Sequence, residues 1–240
     1  MALRSVGGSG PGNRTLVEYA AERLREGILA GDLPAGERVP LDSIAQELGI
    51  SPIPLREALR TLATEGLVVP LPHRGYTVAK LTVSDLEETY RLRLLLEPLA
   101  VQLAVPRLTE VDVAHLATEL DLLARAFDEA NWPNHRTHHR NWHFGIYGHC
   151  ESAWLMRFID MLWLNSERYQ RLTTLIKGEL RQRTKEHQRI FAAVKAGDAD
   201  RAASLMHEHL SRAEESLRAF LDANEHVLAA DSAAARVDRA

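Results

Sequence analysis

The sequence holds a single cysteine, Cys150, which excludes an intrachain disulfide and a four-cysteine zinc site. That usage fits a reducing compartment. Aromatic residues make up only 6% of the chain. With Ala, Leu, Glu and Arg plentiful, this composition leans toward helices with little sheet. No apolar run approaches the length of a membrane span, and the N-terminal stretch has no apolar core of a signal peptide. A soluble, cytoplasmic protein with no membrane partner is the expectation. An excess of basic charge is missing too: the net charge is −4, and residues 1–80 carry nine Lys/Arg against nine Asp/Glu. Any nucleic-acid reading therefore rests on local placement. Three catalytic signatures are absent: a HExxH pair, a glycine-rich phosphate loop and a nucleophile elbow.

What remains is a chain of 240 residues with ordinary apolar content, enough for two cores. Residues 1–13 are Gly- and Ser-rich and are expected to be disordered. Residues 14–80 read as one domain and residues 84–223 as a second. Residues 224–240, without apolar periodicity, read as a disordered tail. In the first domain Leu16, Ala20, Leu24 and Ile28 form one apolar stripe, ended by Gly31. A short helix over 41–48 stops at Gly49; Ser51 and Pro52 then start a third helix, closed by Gly66. Two β-rich runs around His73, Arg74 and Gly75 predict a hairpin. The spacing after residue 84 predicts helices near 84–104, 109–130, 134–149, 152–174, 179–196 and 198–223. The expected fold is mainly α: an N-terminal winged helix-turn-helix followed by an all-α antiparallel helical bundle.

Ile44, Leu48, Leu55 and Leu59 share a core phase, and Gly49 supplies the tight turn between their helices. This leaves Pro54, Arg56, Glu57 and Arg60 on the outer face, free for a major groove. On spacing alone, Arg56 and Arg60 could equally be solvated surface charges. The segment Glu37 to Val78 resembles the DNA-binding domain of the GntR family of bacterial regulators. Its marks are Gly36 to Arg38, Leu55 to Leu59 (LREAL), Glu65 to Leu67 and the Arg74–Gly75 pair. The resemblance implies DNA contacts by Arg38, Ser51, Arg56, Arg74 and Gly75, and double-stranded operator DNA as partner. Many members carry Arg-Thr after the serine of the recognition turn, where this chain has Pro52 and Ile53. Two polar operator contacts are thereby removed. A two-fold operator needs two readers, so a homodimer is expected.

The chain has 11 histidines, five of them between His135 and His149. His139 and His143 are neighbours on one helical face. His187 and His209 each lie on an apolar stripe, at nearly equal distance from the turn at 196–200. At ~1.5 Å per residue both stand ~15–17 Å from that turn, at matching height. His207 points to the opposite side. Four converging imidazoles suit Zn, Ni, Cu or Fe, with Zn or Ni favoured. The plainer alternative is four buried structural histidines, each satisfied by a hydrogen bond.

The stretch over 84–220 resembles the ligand-binding FCD domain of FadR-like GntR regulators, on Arg93 to Ala104, Asn141 to Tyr147 and Glu186 to Leu210. In that family an Asp and three His bind a divalent metal. The resemblance maps the three to His143, His187 and His209, and the Asp position holds His139. An all-imidazole set favours borderline transition metals over Mg or Ca. The family often meets a ligand carboxylate with an arginine that maps to Arg93, four residues before Glu97; the alternative is an Arg–Glu pair on the surface. The expected function is therefore a regulator controlled by a small carboxylate effector, with repression and activation both open as its output. A metal-responsive regulator is the second reading and a His-site metalloenzyme the third. Trp163, Leu164 and Tyr169 are either a dimer face or core.

Overall fold

The computed structural model describes residues 15–72, 74–176 and 178–237, with side chains through Asn224 except at Leu175. Residues 1–13, expected to be disordered, lie outside the described residues, as does His73. The chain divides into two units. One holds the chain through Asp85 together with Leu164–Arg171 and the stretch from Leu221 onward; the other holds Leu86–Trp163 and Leu172–Phe220.

The first unit opens with α1 (Leu16–Ala30). Thr15 caps it: its hydroxyl accepts from the Glu18 N–H at 3.2 Å, and the Glu18 carboxylate accepts from the Thr15 N–H at 2.9 Å. Such a cap contributes about 1 kcal/mol. Ala20, Leu24 and Ile28 bury the stripe seen in the sequence. α2 (Leu41–Leu48) ends at Gly49, whose φ of 65° is left-handed. A Cβ there would meet nothing within 4 Å, so backbone conformation and not space requires glycine. α3 (Pro52–Thr64) follows, with Ser51 at the N-cap in extended conformation and no side-chain capping bond. β1 (Val68–Leu71) and β2 (Gly75–Val78) pair antiparallel from Val68–Val78 to Leu71–Gly75. The loop before α2 adds to this wing: the Val39 N–H donates to the Tyr76 carbonyl at 2.9 Å, and the Val78 N–H donates to the Glu37 carbonyl at 2.8 Å. One core of Leu24, Ile44, Leu55, Leu59, Leu62, Leu67 and Val78 unites the three helices and the hairpin. Fully burying each leucine contributes about 1.5–3 kcal/mol.

The second unit is built from α5 (Glu110–Asp128), α6 (Trp132–Tyr147) and α8 (Glu179–Lys195), with most of α4 (Val83–Ala104), α7 (Ala153–Gln170) and α9 (Ala199–Val237), one end of each of which belongs to the first unit. α5 starts at a capping box between Thr109 and Asp112, and Asn131 caps α6. Val101, Trp142, Ile146, Tyr147, Ile159, Ile190 and Leu210 form its core. Of the α7 residues weighed from the sequence, Trp163 and Tyr169 are buried at 1% and 0% exposure and Leu164 is half-buried, so they do not form an open face. The apolar residues that α7 does expose are Trp154, Phe158 and Met161. The backbone of the last helix continues past Asn224 to Val237. Residues 225–237 contain no Gly or Pro and five alanines, a composition with nothing to stop a helix.

Candidate DNA-reading face and metal centre

The helix-turn-helix places α3 with its core face inward, on Leu55, Leu59 and Leu62. Its other face joins the wing and the start of α2 in an open groove of about 900 Å³, lined by Arg38, Arg56, Arg60, Arg74, Gly75 and Tyr76 among others. Arg38 comes to this place by a β-bridge to Thr77, beside the hairpin. Gly75 has a φ of 85°, which a side chain adopts only under strain, and it turns the hairpin toward β2. Arg60 pairs with Glu57 at 2.7 Å with side-chain exposures of 70% and 47%. An exposed pair of this kind is worth at most about 1 kcal/mol, so a phosphate can displace it. Ser51, named with these residues from the sequence, does not line the groove; it is exposed just ahead of α3. Ile53 is 73% exposed on the first turn of α3, an uncommon place for isoleucine.

In the second unit His139 and His143 of α6 meet His187 of α8 and His209 of α9. All four are buried, and one ring nitrogen from each lies within 4.8 Å of the others. The His187 and His209 ring centroids are 4.7 Å apart, as their matched distances from the α8–α9 turn require. His207 is exposed on the far side of α9. Burial first, and then the neighbouring imidazoles, hold His139, His143 and His187 well below the ordinary imidazole pKa. Burial lowers His209 too, with Glu186 pulling the other way. All four rings are therefore neutral at pH 7, the form a metal needs.

The surroundings of the cluster add residues that sequence reasoning missed. His209 Nδ1 lies 2.8 Å from Glu186 Oε2. Burial alone would raise Glu186, but hydrogen bonds from His209, Arg212 and Gln182 bring it down to about 2. It is thus a carboxylate that accepts a hydrogen bond from Nδ1–H of His209, so the neutral ring carries its proton on Nδ1. His143 Nδ1 lies 2.9 Å from the Tyr147 hydroxyl, which donates to Glu97 Oε2 at 2.6 Å. Burial and the Glu97 charge raise Tyr147 well above its usual pKa, so it keeps its proton. Tyr147 stands four residues after His143, a spacing that could have revealed it.

Arg93 is 2% exposed, and its fork closes on Glu97, Nε to Oε1 at 2.5 Å and Nη2 to Oε2 at 3.3 Å. The Arg–Glu pair exists, but it is buried and not on the surface. Arg93 Nη1 has no hydrogen-bond partner. The guanidinium lies 5.2 Å from the Trp163 ring, and that ring lies 5.0 Å from His143. The arginine and the histidines therefore share one wall of the bundle.

These residues also fit the metal the bundle type implies. A tetrahedral site with bonds of ~2.0 Å spaces its ligand nitrogens ~3.3 Å apart. His143 Nε2 and His187 Nε2 are 3.2 Å apart. Two of the four rings have Nδ1 within hydrogen-bond distance of an oxygen partner, as metal-binding histidines do.

A winged helix-turn-helix with an arginine-lined groove, followed by a separate helical bundle, is the plan of a DNA-binding regulator. The chain belongs to the GntR family of bacterial regulatory proteins: residues 16–78 match that family and residues 88–212 match the FCD domain. It is a transcriptional regulator and not an enzyme. It is 31% identical over 200 residues to the HTH-type transcriptional repressor GlaR of Escherichia coli K12, covering 78% of this chain and 89% of GlaR. It is 28% identical over 222 residues to the HTH-type transcriptional regulator BphR of Paraburkholderia xenovorans LB400, covering 86% of this chain and 87% of BphR. The solved structure of E. coli McbR/YncC superimposes with a TM-score of 0.76 at 28% identity, over 85% of this chain and 97% of that one. Among the described residues no helix is long and apolar enough to cross a membrane.

Proposed function

We propose that this regulator binds its operator as a homodimer, and that a small carboxylate bound beside a divalent transition metal sets its DNA affinity. His139, His143, His187 and His209 hold the metal, Zn or Ni. The observation that carries the reading is their convergence, buried, with two of the Nδ1 atoms beside oxygen partners. A bound metal would supply a fixed positive charge for an anion; Arg93 Nη1, buried without a partner, supplies a second donor. Arg38, Ser51, Arg56, Arg60, Arg74 and Gly75 meet the DNA. Repression is the proposed output, in line with GlaR being named a repressor. The exposed leucines of α4, Leu92, Leu95 and Leu99, lie on one helical face and support self-association.

A second reading, in which the metal itself is the effector, is favoured by one observation. Both carboxylate oxygens of Glu97 already engage Arg93, through Nε and Nη2. The two readings part on Arg93→Lys, which keeps the charge and loses the fork. Native mass spectrometry of the purified protein identifies the bound small molecule, and DNA-binding titrations with that molecule compare the two proteins. A weakened response in the variant supports the carboxylate reading. A response to metal alone, unchanged in the variant, supports the metal-responsive one.

A further inference from the structure

Two of the four clustered histidines have their Nδ1 atoms held by a partner, and the partners differ. His209 is held by a carboxylate, Glu186, at 2.8 Å. His143 is held by a phenol that is itself held: Tyr147 Oη lies 2.9 Å from His143 Nδ1 and 2.6 Å from Glu97 Oε2. Glu97 is 0% exposed and is anchored in turn by Arg93. All four residues are buried, so no water competes for these bonds.

We infer that Tyr147 is a positioning residue for the metal centre: anchored by the Arg93–Glu97 pair, its hydroxyl holds His143 in the Nδ1–H tautomer with Nε2 bare toward the shared ligand point. The direction of the bonds follows from the partners. Glu97 can only accept, so the Tyr147 hydrogen goes to it. The longer contact from Tyr147 to Met206 Sδ, at 3.4 Å, is the weaker claimant. With its hydrogen committed, the phenol oxygen offers His143 only lone pairs, and Nδ1 must donate. Without this partner the ring is free to protonate Nε2 instead, the nitrogen that faces His187 Nε2 at 3.2 Å. A proton there blocks the metal. The same chain places the guanidinium of Arg93 three hydrogen bonds away from the metal ligand, so the anion donor and the metal centre share one support.

The inference rests on the metal reading above, and its test separates the two. Tyr147→Phe removes one oxygen and keeps the ring in its core site. Tyr90→Phe is the control: Tyr90 is equally buried, and its hydroxyl has no hydrogen-bond partner. Zn²⁺ affinity is measured on the full chain by competition with a chromophoric chelator, and the His143 tautomer is read from its ring ¹⁵N shifts in the metal-free protein. Loss of an outer partner lowers metal affinity by about 10–100-fold. That loss is expected in Tyr147→Phe and not in Tyr90→Phe, together with a shift of His143 away from the pure Nδ1–H tautomer. Unchanged affinity and tautomer in Tyr147→Phe, while the wild type binds zinc, overturn the inference alone. A wild type that takes up no zinc overturns the metal reading and the inference with it.

Discussion

His143 Nε2 on α6 and His187 Nε2 on α8 lie 3.2 Å apart in the core of the bundle, although 44 residues separate them in sequence. His143 Nδ1 is held by Tyr147, so Nε2 is the nitrogen that His143 turns to His187. His187 Nδ1 has no hydrogen-bond partner. A metal ion between the rings would satisfy both facing nitrogens at once.

Substituting the four histidines one at a time by Ala should remove the metal from the His143, His187 and His209 variants. His207→Ala should keep it, because that ring is exposed on the other side of α9. Elemental analysis after mild dialysis reads the outcome. Retention in both the His187 and His209 variants would refute the site. Retention in the His139 variant alone would leave a three-histidine site with the effector or water completing it.

The pH response follows from burial of the same rings. Unfolded, each protonates near ~6.5; folded, they resist protonation. The unfolded chain therefore binds more protons below that pH, and stability must fall as pH drops through it. Thermal melts of the metal-free protein should show a midpoint that declines from about pH 6.5 downward. A midpoint flat from pH 7 to 5 would contradict this.

Arg56 lines the arginine groove from α3 and should contact a base edge. Arg56→Ala should weaken operator binding by about 1–3 kcal/mol while leaving the melting midpoint in place. Unchanged affinity and salt dependence would mean that another face reads the DNA.

Ile53, at 73% exposure on the first turn of the same helix, has no core to fill. An apolar contact with a thymine methyl would use it. Ile53→Ser should then relax the preference for thymine at one operator position, by about 1–3 kcal/mol, with little change elsewhere. Binding to a panel of single-base operator variants measures this; an identical profile for both proteins would remove Ile53 from the readout.

Leu95 is 66% exposed in the α4 stripe with Leu92 and Leu99. If that stripe joins two copies, Leu95→Lys should place a charge in an apolar interface and shift the protein toward monomers in sedimentation at micromolar concentration. A variant as dimeric as the wild type would place the interface elsewhere. The exposed Trp154, Phe158 and Met161 of α7 are then the next surface to change.

What the sequence determined by itself is whatever depends on periodicity along one chain. The helix at 16–30, the turn at Gly49 and the hairpin around Gly75 follow from apolar phase and glycine placement. The meeting of His187 and His209 follows from counting residues on either side of one turn. What only the tertiary structure decided is the rotation and offset of helices that are distant in sequence. Glu186 is adjacent to His187, yet it serves His209 across the hairpin, because neighbours on a helix point about 100° apart. Glu97 reaches Tyr147 from a helix 50 residues away. The fork of Arg93 turned inward to close on Glu97 instead of lying on the surface. The α7 aromatics divided the same way: Trp163 is buried and Trp154 is exposed, because the helix turned one side of itself to the core. Local spacing says which residues share a face; only packing says what that face meets.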